Sequence, residues 1–411
     1  MKHATPNWLA PIAAILILQT TSSFLSRLIP IITPAVSEEF GWSGSAIGYF
    51  TASNSFGSLA ILIAGSAVLK AIGGMRTLQL TLVLGTMCLG LFLSPSISVV
   101  LAACFLMGIS NGVASPAGSE ILLRFSPPGK RNLMFSIKQA GVPLGGIIAG
   151  LCIPGIVVLW GWRAALLVCG LIVLIPTAIT WALSSTLDGI NKKISQSLLH
   201  LPTLRSFRSL AVPLASLARG PGLFKMSIVG SLFAVAQSCW FTFTVIYLVD
   251  AMGYSLALAG AVFAVMQTGG VLGRVMLGWL SDYFDSSVAT LSMTAVLSAT
   301  TTALMGLTNP DWPVWTVMLL AFVAGSTAAS WNGVQIAEIA RRSPPEWVSE
   351  TAAGASVLVN LVNMIAPACF ASYVVFSGGR YDYAFISAGV CTLLVLVFMP
   401  WERKRGSRTP V

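Results

Sequence analysis

Charge is scarce in this sequence. Of its 411 residues only 9% are Asp, Glu, Lys or Arg, against about a quarter in an ordinary soluble domain. Tracts such as 147–159 and 384–400 hold no ionisable side chain except cysteine thiols. This excludes a water-soluble globular protein, and no stretch is long and polar enough to form a separate soluble domain. Histidine is nearly absent. His3 and His200 both fall outside the apolar tracts, so no histidine metal site or buried histidine proton relay is available. The seven cysteines form no CxxC pair and all lie within apolar segments, which reads as small membrane residues rather than a redox or metal centre. Acids are missing from the middle of every apolar tract. Glu120 and Glu338 lie near the ends of theirs, and Glu350 and Asp382 only open the tracts they belong to, so the mid-membrane carboxylate that would point to proton coupling is absent. No nucleophile has a plausible base, and there is no sizeable signalling domain. An enzyme or a sensor therefore has little support, and no cofactor or metal is expected.

What the chain has instead is apolar length. Hydrophobic residues make up 56%, and a run of roughly 18 or more can cross a bilayer core of about 30 Å. Such runs recur along the chain and predict an all-α membrane protein with twelve crossing helices, near 8–34, 44–69, 77–95, 98–122, 133–159, 163–183, 223–249, 257–280, 288–308, 313–339, 350–376 and 382–400. Helices are the natural choice, because backbone groups in lipid must be satisfied internally. The first tract runs on toward Pro34, too long for the short apolar core of a signal peptide, and is expected to be retained. The 38 glycines and 21 prolines fit close helix contacts and kinks in a membrane bundle.

Basic residues orient the chain. With the N-terminus in the cytoplasm and the helices alternating, 18 Lys and Arg fall on the cytoplasmic side and two, Arg163 and Arg380, on the other. The positive-inside rule then predicts cytoplasmic termini in an inner (plasma) membrane. The net charge of +10 becomes a topology signal and an attraction to anionic lipid, not a nucleic-acid footprint. The expected partners are the bilayer and a small-molecule substrate, with the chain a monomer.

The two ends of the chain echo each other. Ser126-Pro127-Pro128 and Ser343-Pro344-Pro345 lie 217 residues apart, as do Gly161-Trp162-Arg163 and Gly378-Gly379-Arg380; Gly41-Trp42-Ser43 is matched by Gly253-Tyr254-Ser255. Three pairs in the same order at nearly constant offset predict a duplication: a six-helix half over 1–183, a cytoplasmic linker over 184–222, and a second half over 223–411. In such repeats the substrate site lies between the halves.

With these features the chain resembles the major facilitator superfamily over essentially its whole length. The sharpest match is Gly273 to Asp282 at the end of helix eight, similar to the superfamily's cytoplasmic loop signature GxLxDRxGRR and including Gly278 and Asp282. After Asp282 the match decays. The first-half copy keeps Gly65 but has Leu69 where the aspartate belongs. Gly141, Pro143, Gly145 and Gly146 in helix five resemble, one residue out of register, the Gly-Pro-x-x-Gly-Gly motif of antiporter members, implying a kink and a smooth glycine face. Against a drug/proton antiporter, Cys104 stands four residues before Gly108 where those members carry arginine, and helix one carries Arg27 where they often carry an acid.

Three bases remain inside predicted helices: Arg27 in helix one, Lys138 in helix five and Arg274 in helix eight. Each costs roughly 2.5–3.5 kcal/mol at a helix centre, so each must face water, a partner or a substrate. The two acids have partners of their own, since Arg124 follows Glu120 and Arg342 follows Glu338 by one helical turn. An uncompensated positive cavity suits an anionic substrate, and the resemblance agrees, because monocarboxylate-type facilitators also place bases in helices one and eight. Polar stripes accompany the bases: Gln19, Ser22, Ser23 and Ser26 beside Arg27, Gln267 two turns from Arg274, Gln237 and Trp240 in helix seven, Asn332 and Gln335 in helix ten, and Asn360 in helix eleven. Each amide could line the cavity or bond neighbouring helices; Arg27 could snorkel, and Arg274 could pair with Asp282 or a carbonyl. The reading is a secondary transporter working by alternating access for a small organic anion such as a carboxylate, either as an anion exchanger or as a symporter whose proton travels on the substrate. The alternative is a proton-coupled exporter of drugs or amphipathic metabolites.

Overall fold

A computed structural model describes residues 9–112, 114–125, 131–188 and 212–401. Every regular element among them is helical. Helix one is Leu9–Phe40, helix two Ile47–Ile72, and helix three Gly74–Met87 with a tighter final turn at Cys88–Leu93. Helix four comprises Ile97–Gly112 and Ala114–Phe125. Helices five and six lie within Arg131–Ile179. Then follow helix seven (Leu223–Asp250), helix eight (Leu256–Tyr283) and helix nine (Ser287–Gly306). Helix ten comprises Val314–Thr327 and Asn332–Arg342; helix eleven is Val348–Phe376; helix twelve comprises Tyr381–Leu393 and Val395–Phe398.

Ten described helical segments are long and apolar enough to cross a membrane. One of them, Ile137–Leu183, has 47 residues, or about 70 Å at 1.5 Å per residue, twice what a bilayer core needs. The chain leaves the helical region within it at Gly161 (φ 79°, ψ 164°), so it supplies two crossings. Helix two, with 26 residues, completes the twelve.

Two of the three tripeptide pairs read from the sequence share backbone geometry, and Ser126-Pro127-Pro128 of the third lies outside the described residues. Gly161 and Gly378 both have left-handed φ (79° and 71°), and so do Gly41 and Gly253 (66° and 67°). A methyl group added at any of the four would meet nothing within 4 Å. The backbone conformation, not crowding, therefore requires glycine there.

A second correspondence lies inside the bundle. Helix two crosses helix four where a methyl group on Gly57 would overlap the Phe105 carbonyl oxygen and one on Gly108 the Asn54 carbonyl oxygen. Helix eight crosses helix ten in the same way, with Gly269 against the Phe322 carbonyl and Gly325 against the Met266 carbonyl. Each of these residues is 212 or 217 positions beyond its counterpart. Small residues at such crossings let backbones approach closely, which matters where lipid competes equally well for apolar side chains.

Helices one to six and seven to twelve meet along two seams, helix two with helix eleven and helix five with helix eight. At the end of the bundle that carries Glu38 and Asp250 the seams are tight. Gly48 faces the Pro367 carbonyl and the Ala371 methyl, while Gly150 faces the Gly260 carbonyl. Toward the opposite, base-rich end helix eight is bare: Val275, Trp279 and Tyr283 are 72%, 61% and 70% exposed. Gly278, expected at a close helix contact, has nothing within 4 Å. The seams are thus tight at the acid-bearing end, while Gly278, toward the base-rich end, has no neighbour against it.

At the base-rich end the Glu338 carboxylate is fully buried. It accepts from Arg341 (2.8 and 2.9 Å) and from Arg342 Nε (2.5 Å). Arg342 Nη1 and Nη2 reach the carbonyls of Pro221 (3.4 Å) and Pro400 (3.3 Å), tying helix ten to the start of helix seven and the end of helix twelve. The expected pairing of Glu338 with Arg342 is present, with Arg341 added. Because the Arg342 side chain is only 8% exposed, Glu338→Ala would strand a buried cation. It is expected to destabilise the fold by about 3–5 kcal/mol, read as a lowered unfolding temperature of the purified protein. An unchanged melting temperature would contradict this. Of Gly65, Glu120 and Arg124 only the helix each occupies is described; their surroundings, and residues 189–211 of the predicted linker, lie outside the described residues.

Candidate functional site

Helices one and eight bring two guanidinium groups together from opposite ends of the sequence. Helix one carries its polar residues as a stripe, with Gln19, Ser22 and Ser23 buried and Arg27 two turns further on. The Arg27 guanidinium lies 4.1 Å from the centre of the Phe241 ring on helix seven, and its buried Nε has no hydrogen-bond partner. On helix eight, Arg274 Nη2 points at the Ala329 carbonyl oxygen (3.5 Å), while its buried Nη1 has no partner. Arg27 lies close enough to Arg274 to experience its charge. Among the described residues the ion pairs involve Glu39, Glu338 and Asp382, and neither arginine takes part in one. A cation–π contact contributes about 0.5–2 kcal/mol, and a single long bond to a carbonyl adds little. Two cations within electrostatic reach of each other in an apolar bundle are thus left under-compensated.

Helix ten supplies the carbonyl because its helix is interrupted. Val314–Thr327 ends and Asn332–Arg342 begins with Ala328–Trp331 in turns between them. The Ala329 carbonyl receives Gln237 Nε2 of helix seven (3.4 Å) as well as Arg274, and the same amide reaches Asn332 Oδ1 (3.4 Å). Ser330 Oγ bonds the Gly270 and Gly325 carbonyls (3.1 and 2.8 Å), pinning the interruption against helix eight. The indole of Trp331 stacks on Phe233, with ring centroids 5.4 Å apart, and its buried Nε1 has no partner. Interrupted helices near the middle of a bundle are where transporters expose backbone dipoles to cargo.

Helix five fits between these elements through its glycines. A methyl group on Gly145 would overlap the Thr20 carbonyl of helix one, and one on Gly141 would crowd Gln19. Gly146 instead faces helix eight, where a methyl group would overlap the Gln267 amide. Gln267 Nε2 and Gln19 Oε1 are both buried without a hydrogen-bond partner. Helix five packs on helix one through Gly141 and Gly145 and on helix eight through Gly146 and Gly150, with Gly141 beside Gln19 and Gly146 beside Gln267. Pro143 lies on the same helical run.

Other expected contacts fall elsewhere. Trp240 turns away from the two arginines. Its indole N–H donates to Thr302 Oγ1 of helix nine (3.0 Å), and its ring packs near Phe385 of helix twelve; a buried indole needs an acceptor, and helix nine supplies one. Gln335 donates to the Met226 carbonyl (3.2 Å) and fills the space beside Gly230, joining helices ten and seven. Asn360 donates to the Ser356 carbonyl of its own helix (2.9 Å). Asp282 is exposed at the end of helix eight, two turns beyond Arg274, and the two form no ion pair. Lys138 is buried in helix five and donates to Ser119 Oγ (2.8 Å). Sequence reasoning missed Phe241, which carries no signal in an apolar helix. It also missed Asn111 of helix four, whose Oδ1 receives Ser22 Oγ (3.3 Å) and whose Nδ2 is buried without a partner. An amide inside an apolar tract was a readable cue.

Comparison with known proteins bears on this arrangement. The 4-hydroxybenzoate transporter PcaK of Pseudomonas aeruginosa is 24% identical over 280 residues, covering 62% of each chain. A probable sulfoacetate transporter, SauU, of Cupriavidus necator is 23% identical over 388 residues, covering 89% of this chain and 87% of that one. The chain spans 62–63% of the length of the first curated relatives it matches. A crystal structure of the peptide transporter POT in complex with sulfate superposes with a TM-score of 0.73 over 97% of this chain and 96% of that one, at 13% identity, and shares the fold. The profile of the Major Facilitator Superfamily matches residues 12–367, and with the twelve-helix architecture this establishes that the chain belongs to that superfamily.

Proposed function

We propose that this protein is a secondary transporter of a small organic anion, such as a carboxylate, that works by alternating access between helices one to six and seven to twelve. The observation that carries the reading is the convergence of Arg27 and Arg274, one from each six-helix set, with no carboxylate paired to either among the described residues. An anion held between them would neutralise charge that the protein leaves uncompensated. Because it would touch both sets, it could favour one relative arrangement over the other, as coupling of binding to conformation demands.

Three further observations support this. The glycine crossings repeat in both sets at matching positions, in keeping with two related halves. The seams between the sets are tight at the end that carries Glu38 and Asp250, the end that must part in alternating access. Two relatives are named for 4-hydroxybenzoate and sulfoacetate, both organic acids. The topology we favour puts the base-rich end in the cytoplasm. The glycines that suggested a drug exporter are occupied in packing helix five against helices one and eight, so the motif does not by itself argue for that cargo.

A thermal-shift screen of the purified protein tests the reading. Small aromatic and aliphatic carboxylates are expected to raise the unfolding temperature, since a ligand at about a hundred times its dissociation constant stabilises by about 2.7 kcal/mol. Lipophilic cations such as ethidium should not. Stabilisation by the cations alone would reverse the assignment.

A further inference from the structure

A second site lies away from the two arginines, at the base-rich end where helices seven, ten and twelve terminate together. A cavity of about 810 Å³ opens there. Its walls include Gly222 and Lys225 at the start of helix seven, Arg342 at the end of helix ten, and Trp401 just beyond helix twelve. Arg342 is held in place by its bonds to Glu338, Pro221 and Pro400, so it forms a fixed edge of the cavity. Helix seven begins on Gly222 in a left-handed conformation (φ 73°) and has no side-chain cap. The positive end of this 28-residue helix therefore lies at the cavity wall, where Gly222, Phe224 and Lys225 line it.

The rim has the opposite character. Phe224, Val397 and Trp401 are 57%, 74% and 60% exposed, an apolar lip suited to acyl chains and to the interfacial preference of tryptophan. Among the described residues no acid lines the cavity; the nearby Glu338 is buried and spent on two arginines.

A basic recess at the positive end of a helix, bordered by an apolar lip, matches one kind of molecule. We propose that this cavity binds the headgroup of an anionic phospholipid. The phosphodiester sits at Lys225 and the start of helix seven, and the acyl chains run along Phe224 and Val397. A lipid seated there would staple the ends of three helices that Arg342 also ties together.

The experiment compares the full-length protein in nanodiscs of phosphatidylcholine with and without phosphatidylglycerol. Unfolding temperature is one readout, and phosphatidylglycerol retained after detergent extraction, counted by native mass spectrometry, is the other. Phosphatidylglycerol is expected to stabilise the wild type and to be retained. Lys225→Glu should weaken retention by about fivefold or more, the order expected when a lysine at an anionic surface is reversed, whereas Lys225→Arg should keep it. Lys225 is exposed, so both variants are expected to fold, and Trp401→Ala offers a second variant on the lip that should also reduce retention. Equal retention by wild type and Lys225→Glu would overturn the site. Stabilisation by inorganic phosphate in phosphatidylcholine alone, to the same degree, would overturn the lipid assignment in favour of a soluble anion. Neither outcome depends on the transported substrate.

Discussion

Alanine in place of Arg274 is expected to raise the dissociation constant for a small carboxylate by about ten- to hundredfold, and Arg27→Ala to do the same. A hydrogen bond to a charged group contributes about 1.5–3 kcal/mol, and each 1.4 kcal/mol is about tenfold in affinity. The protein should still fold, because Arg274 makes one 3.5 Å bond to a carbonyl and Arg27 rests on a ring. Arg274→Lys keeps the charge but loses the planar fork that grips a carboxylate with two parallel bonds, so it should fall between wild type and alanine. A purely structural arginine gives a different pattern: lower folded yield, with unchanged affinity in the protein that survives. Equilibrium binding to purified, monodisperse variants separates the two. Unchanged affinity in both alanine variants would eliminate the anion site.

A comparably large effect is expected from Gly48→Leu, by another route. Gly48 sits where helices two and eleven close the acid-bearing end, and even a methyl group there would overlap the Pro367 carbonyl and the Ala371 methyl. A backbone carbonyl cannot swing aside as a side-chain end can. Overpacking of this kind costs about 1–3 kcal/mol, which shifts a two-state equilibrium by about five- to 150-fold toward the arrangement in which this seam is open. Transport should drop to about a tenth of wild type or less while membrane insertion continues. Ala371→Cys, placed in a background free of the seven natural cysteines, reports the shift. Ala371 is fully buried in the seam, so the thiol should be shielded from a water-soluble maleimide in the parent and labelled once Gly48→Leu is added. Equal shielding in both, with normal transport, would mean that the seam does not open during turnover.

The crossings were legible because lipid imposes a strong and simple demand. A helix in a bilayer needs length and apolarity, and both can be counted from sequence, so the predicted 223–249 is found as Leu223–Asp250 and 350–376 as Val348–Phe376. The turn at Gly161 was legible through its tripeptide. The direction in which a side chain points was not. Trp240 and Gln237 share helix seven one turn apart, yet one bonds helix nine and the other the interrupted part of helix ten. Deciding between them needs the rotation of the helix about its own axis, which packing sets and which a nearly uniform apolar sequence leaves open. Gln335 illustrates the same limit: an amide in a membrane helix must find a partner, and the sequence does not say whether that partner is a neighbouring carbonyl or a ligand. The interruption at Ala328–Trp331 carried no proline to announce it.

The repeated crossings of helix two on four and helix eight on ten have one more consequence. In each, a glycine on one helix meets the main-chain oxygen of the other, at Asn54 in the first set and Met266 in the second. Every residue possesses that oxygen. The lock therefore reads shape on one side only: the glycine is obligatory, while its partner is free to change identity so long as the chain keeps its course. Asparagine and methionine can occupy equivalent places for this reason, and the two halves of the molecule can drift apart in sequence without drifting apart in form.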